Sequence, residues 1–337
     1  MDGWPHPGPR SNRVSPNARL NRAIHKARAM ITRAAGEPPA AARLRIERAS
    51  EFAASISLSR GQIGISTGVL DRLDELWSLL WPTDLLTGAR GGRSAADHAD
   101  FSLTWLFLHE LTHVRLEHHR LLNNTCLIEV GPPAAPRLTP TAVLRAFLDG
   151  EDRSRVSRCL ELQADDDATR AFLSGYSEGG DEAYRARAVS IFVVMVLIER
   201  ENARLGNRNI THPAAATRLF MLMATMMTIW GDADANRDIR DDGHVYLPAD
   251  ALPTDRFDVY KETVLRPLLD DVRLVVAAAG AVSFSADLDH EGALFRDLQT
   301  ALFDSALSPA RFLTQAAREW LDLAPLNLKI LRFLGHL

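Results

Sequence analysis

Apolar positions recur in this chain with two periods, and where the period changes the predicted element changes with it. Asn17 to Ala35 carries apolar residues at helical spacing among arginines, which predicts a helix with one face for a core. Pro39 to Ala53 has the same arginine-rich character and reads as helical too. From Ala54 to Leu73 the period falls to two. Ile56 and Leu58 alternate with serines, Gly61 marks a turn, and Ile63 and Ile65 alternate with Gln62, Gly64 and Ser66. That alternation predicts one or two short strands, an exposed hairpin or edge. Gly68 leads into a helix, Val69 to Trp81, which Pro82 stops, and Thr87 to Ser94 is a glycine- and arginine-rich loop.

A helix over Leu103 to about Leu122, capped by Asp100 or Ser102, is apolar nearly all round in its first turns and is expected to run through the interior. Gly131 to Pro140 holds four prolines and reads as loop. Helices are expected at Pro140 to Phe147, Glu151 to Ser174, Asp181 to Leu205 and Pro213 to Ile229. An acidic polar boundary follows at Gly231 to Gly243, then further helices from Leu252 to Leu337. The pattern divides the chain into a basic arm and helix (1–50), a core (51–230) and a C-terminal helical region (231–337), with no internal repeat. The expected fold class is α+β, mainly α.

Composition changes this picture little. With 337 residues, 46% hydrophobic and 24% charged, the chain is an ordinary globular protein. A net charge of -4 gives no global argument for nucleic acid. The basic arm is the one stretch able to hold nucleic acid or an acidic partner. A solvated helix face packed on the core is the plainer account and is preferred. Cys126 and Cys159 are too few for a disulfide framework and lack zinc-finger spacing, so both read as ordinary thiols. Residues 1–10 show no apolar signal segment. The longest apolar runs, Ala188 to Ile198 and Leu219 to Trp230, fall short of the ~20 residues that span a bilayer. They read as core helices, and a cytoplasmic location is expected.

Chemistry concentrates at His109-Glu110-Leu111-Thr112-His113. On a helix, positions four apart lie about 40° apart around the axis, so both imidazoles can reach one ion. Glu110 points elsewhere, free to act on a water. This is the H-E-x-x-H pattern of zinc metallopeptidases, and the plain alternative is two buried histidines on a core helix. A catalytic zinc also needs a third ligand and an open position. Glu161-Leu-Gln-Ala-Asp165 offers two carboxylates on one helix face: Glu161 as the ligand, Asp165 orienting a ligand imidazole from behind. Glu151 and Asp165 are the substitutes for Glu161. Asp166 and Asp167 lie on other faces. On a continuing helix His118 projects about 140° from His113, so His118 and His119 read as solvated or packing residues. Asp232-Ala-Asp-Ala-Asn236 mimics a calcium loop, but Arg237 stands where glycine is required and Gly243 where the closing glutamate belongs.

Together these motifs resemble the gluzincin metallopeptidases, most closely the HtpX-like and CAAX-prenyl-protease family, over roughly residues 50–220. Gln62 to Leu70 resembles that family's edge strand and the turn after it. Val114 to His119 resembles its continuation past the second histidine, and Thr211-His212-Pro213 with Arg218 its element downstream of the third ligand. The resemblance implies a zincin-type core with a small sheet or hairpin beside the active-site helix. It implies Zn2+ held by His109, His113 and Glu161, with Glu110 as general base. His212 or Arg218 would face the oxyanion, or His212 would be a fourth ligand that holds the site latent. Gln62, Ile63, Gly64, Ile65 and Ser66 would pair with an extended protein or peptide substrate. The integral members' membrane helices are missing, and Pro82 to His98 inserts a longer glycine-rich segment, a candidate lid. Three functions are carried forward. The leading one is a soluble zinc endopeptidase. The second is a narrowly targeted toxin, phage-exclusion or stress protease awaiting a trigger. The third is a regulatory binding protein pinned by zinc, against which the intact Glu110 argues.

Overall fold

The computed structural model describes residues 15–36, 43–57, 62–88, 90–121, 125–126, 152–173, 180–204, 212–231, 238–239, 245–246, 254–281, 285–303 and 308–336. Helix α1 (Pro16–Ala35) starts where the Ser15 hydroxyl accepts the Ala18 amide and ends at Gly36, in the left-handed conformation glycine tolerates. Leu20, Ala23, Ile24, Ala27 and Ile31 form its buried face. Arg19 anchors it to Asp74 (2.7 Å) and Asp100. The basic helix therefore packs on the core, in keeping with the plainer account.

The helix expected over 39–53 is instead strand β1 (Arg43–Glu47). Leu44 and Ile46 turn inward while Arg43, Arg45 and Glu47 are exposed, a period-two alternation that the arginines disguise. With β2 (Ala54–Ser57), β3 (Gln62–Ser66) and β4 (Thr125–Cys126) it forms a sheet of order β1-β3-β2-β4. β1 runs parallel to β3, and the other pairs are antiparallel. This corrects the edge-strand expectation. Gln62 to Ser66 pair along their whole length with Arg43 to Glu47, and Gln62 to Ile65 also pair with Ala54 to Ser57. Both sides of the β3 backbone are taken, so an extended substrate has no edge to join at Gln62, Ile63, Gly64, Ile65 or Ser66. The strand feeds helix α2 (Thr67–Leu80) instead, and Gly68 lies so close to the carbonyls of Ser50 and Glu51 that any Cβ would collide with them.

Helix α3 (Ala95–Arg115) begins about two turns before the expected start, at Ser94, whose capping box with Asp97 satisfies two terminal amides. The residues expected as caps have other partners. Asp100 pairs with Arg19, while Ser102 donates to the Ser190 carbonyl (2.7 Å) and accepts from Trp77 Nε1 (3.1 Å). Next come α4 (Arg153–Leu173), α5 (Gly180–Arg204) and α6 (Ala215–Gly231), each within two residues of its expected bounds. Then follow α7 (Thr254–Tyr260), α8 (Arg266–Ala279), α9 (Ser285–Leu288), α10 (Glu291–Phe303) and α11 (Gln315–Leu334). The fold is α+β and mainly α, as expected. The α3 helix is its axis, with α1, α2, α4 and α5 packed around it. Helix α8 packs on α5, and α11 packs on both α4 and α6.

One hydrophobic cluster joins Leu20, Leu103, Phe192 and Leu269, so all three segments expected from the sequence contribute to a shared core. A smaller cluster of Leu160, Leu162, Met221, Leu323 and Ile330 seats α11. Cys159 is buried in that cluster, its thiol directed at the Leu323 carbonyl (3.5 Å). The glycine-rich segment is anchored rather than lid-like. Leu85 and Leu86 are buried, the Leu86 amide donates to Asp271 (2.7 Å), and Arg90 lies over the Trp81 ring. The expected loop Gly131 to Pro140, helix Pro140 to Phe147 and the mimic of a calcium loop at 232–236 lie outside the described residues. Among the described residues no helix is long and apolar enough to cross a membrane.

A pH effect follows from the packing of α3. His98 is fully buried against Trp77, Trp81 and Phe101, with neither ring nitrogen hydrogen-bonded among the described residues. Burial, aided by the charge of Arg93, lowers its pKa from 6.5 to about 4. The unfolded chain therefore takes a proton here at a higher pH than the folded one. Stability from this site is complete above about pH 6.5 and is lost as pH falls toward about 4. His98→Phe is expected to shrink the difference in unfolding free energy between about pH 7.5 and about pH 4.5 by about 2–3 kcal/mol. Urea unfolding at both pH values measures it, and an unchanged difference would contradict the account.

Candidate metal centre

Helices α3 and α4 lie against each other so that the two pairs of residues spaced by four face across one gap. His109 Nε2 and His113 Nε2 are 3.1 Å apart. Glu161 Oε2 lies 3.2 Å from the first and Oε1 3.6 Å from the second. Ligating atoms of His109, His113 and Glu161 all fall within 4.8 Å of one another, so this cluster could hold a metal ion. Two imidazole nitrogens this close to each other repel unless a proton or a cation lies between them. Two nitrogens and a carboxylate oxygen are a donor set that suits zinc.

Asp165 stands behind His109, its Oδ1 2.9 Å from Nδ1. Its other partner is Arg218, whose Nε and Nη2 donate to Oδ2 and Oδ1 at 2.6 and 2.7 Å. Both residues are buried. The resemblance puts Arg218 at the oxyanion, but this fork-to-fork pair ties it to Asp165, because α6 packs on α4, the helix that carries Asp165. It meets His109 through Asp165, and its charge also acts on Glu161.

The charges follow this arrangement. Burial alone would raise Asp165, but Arg218 and His109 hold its carboxyl below the usual range. Burial likewise opposes the charge on Glu161, and His212 and His109 outweigh it. For His109 burial is overcome by Asp165 and Glu161, which lift its pKa to about 9. A proton there sits where a cation would. Burial, then the charge of His109, lowers His113. The ionised carboxylates are what a divalent metal needs, and the proton on His109 is the one that metal binding would displace.

Glu110 is fully buried and neither of its oxygens has a hydrogen-bond partner among the described residues. In the metal-free site burial pushes its carboxyl up to about 8 although the charge of His109 pulls the other way, and a divalent cation at the cluster would pull it back toward the ionised form that a base needs. A bare buried carboxyl is costly, and its oxygens are left available to a water at the cluster. His212 is also brought to the centre, its Nε2 3.6 Å from Glu161 Oε2. Glu161 and His212 are buried like His109 and Glu110, and Glu161 Oε2 and His212 Nε2 are both shielded from solvent.

His118 also departs from the sequence expectation. Helix α3 ends at Arg115, and Glu117 adopts a left-handed conformation (φ 54°) that turns the chain back. His118 is thereby buried with its Nδ1 2.7 Å from His113 Nδ1. The 140° projection does not apply, because the helix does not continue. Nothing in Val114 to His119 announces the reversal.

No curated protein and no solved structure gives a match to this chain. Residues 81–233, which carry His109, Glu110, His113, Glu161, Asp165, His212 and Arg218, match the model of the family Peptidase U49, and this match supports a peptidase.

Proposed function

We propose that the chain is a zinc-dependent endopeptidase of the gluzincin type, similar to the HtpX-like family, with its catalytic core in residues 51–230. The observation that carries the reading is the convergence of His109, His113 and Glu161 beside a buried Glu110 carboxyl that has no partner among the described residues. In this reading His109, His113 and Glu161 hold the ion. Bound there, zinc supplies a Lewis acid that polarises the scissile carbonyl and brings the pKa of a water toward ~7. Glu110 accepts the proton from that water and delivers it to the departing amine. Asp165, held by Arg218, orients the His109 ring. His212, beside Glu161, would donate to the carbonyl oxygen of the substrate as negative charge develops. A zinc-pinned binding protein would have no use for an acid buried in this way at Glu110.

Metal analysis of the purified full chain tests this directly. About one zinc per chain is expected. Chelation should abolish cleavage of a peptide library, and added zinc should restore it. Protein that holds no metal, or that cleaves equally well after chelation, would overturn the reading.

A further inference from the structure

The C-terminal helix α11 lies beyond the matched family region, yet its hydrogen bonds lead back to the metal-facing histidines. Asn327 on α11 accepts from Gln163 Nε2 through both its side-chain oxygen (2.6 Å) and its backbone carbonyl (3.3 Å). The other end of the same amide, Gln163 Oε1, is 3.0 Å from His118 Nε2. The remaining His118 nitrogen, Nδ1, faces His113 Nδ1 at 2.7 Å.

The direction of these bonds is determined. A backbone carbonyl only accepts, so Gln163 must turn its NH2 toward Asn327 and its oxygen toward His118. An amide oxygen only accepts, so His118 carries its proton on Nε2. Neutral His118 then has a bare Nδ1, which accepts the Nδ1–H of His113. That leaves His113 with a bare Nε2, the nitrogen 3.6 Å from Glu161 and 3.1 Å from His109 Nε2. The left-handed backbone at Glu117, a conformation unfavourable for a non-glycine residue, is what turns His118 into this position. A second tie runs parallel. Glu319 of α11 accepts the Ala214 amide (3.2 Å) and the Thr217 hydroxyl where the chain leaves His212 for α6.

We infer that Asn327, Gln163 and His118 form a positioning chain that fixes His113 in its Nδ1–H tautomer, so that α11 is a working part of the metal centre. The inference rests on the zinc reading above. It assigns His113 a neutral amide-and-imidazole support, distinct from the charged Asp165–Arg218 support behind His109.

Two readouts test it on the full-length protein. In competition with a chromophoric chelator, His118→Phe and Asn327→Ala are expected to weaken zinc binding about 10- to 100-fold, as loss of an orienting partner does. His118→Gln, whose amide can accept from His113 and donate to Gln163, should recover most of that loss. Nitrogen-15 NMR of the metal-free protein should show His113 as the Nδ1–H tautomer, and a tautomer mixture in His118→Phe. Asn327→Ala acts at the far end of the chain and covers the case in which the His118 variant fails to fold. If wild type binds zinc and both variants bind within about threefold of it, the positioning chain is refuted while the zinc reading stands. If wild type binds no zinc, both fall together.

Discussion

Replacing Glu110 with glutamine is expected to lower kcat for peptide hydrolysis by about 10²- to 10⁴-fold while zinc content stays at about one per chain. Glutamine has the shape of glutamate and cannot accept the proton of the attacking water. Glu110 is not among the three converging ligands, so its loss should leave the ion in place. KM should change little, because the interaction removed belongs to the transition state and not to substrate binding. Single-turnover cleavage of a fluorogenic peptide, read beside metal analysis of the same sample, separates the two effects. Wild-type turnover in the glutamine variant would remove Glu110 from the chemistry. Loss of metal along with activity would mean that Glu110 is itself a ligand.

The second large effect concerns the pair behind His109. Asp165→Ala leaves Arg218 as a buried cation with 1% exposure and no carboxylate at its Nε and Nη2. Removing one member of a buried pair is expected to cost about 3–5 kcal/mol in unfolding free energy. Asp165→Ala combined with Arg218→Met removes the stranded charge and should recover a large part of that loss. Zinc affinity should behave differently. Both the single and the double variant lack the group at His109 Nδ1 and should bind zinc about 10- to 100-fold more weakly. Urea unfolding of the metal-free protein measures the first effect and chelator competition the second. A single variant that loses less than about 1 kcal/mol would show that Arg218 finds another partner. A double variant that regains zinc affinity along with stability would show that Asp165 serves the fold and not the metal.

Much of the centre is legible in the spacing of its residues. Intervals of four in His109/His113 and in Glu161/Asp165 each define a stripe on a helix, and helical geometry is local enough to survive folding. The period-two run at Ile56 to Ile65 likewise predicts strands that the fold contains. Local pattern is blind where the deciding partner is distant or where the backbone breaks its period. Strand β1 is hidden because arginines at alternate positions resemble the polar face of a helix, and only pairing with β3 shows which they are. Strand β3 looks like an edge because nothing in its own residues says that two other strands will flank it.

The chain's own residues determined the chemistry on offer: two imidazoles and a carboxylate able to converge on an ion, and an acid free of that duty. Helical periodicity ties those groups to predictable faces at short range. Tertiary structure decided which groups would support them. Arg218 was drawn to Asp165 by the packing of α6 on α4, His118 was turned onto His113 by the left-handed residue at 117, and Asn327 was carried to Gln163 by the docking of α11. Such contacts join residues far apart in the chain, or depend on a single backbone reversal. Neither leaves a periodic trace, so only the packed chain could disclose them.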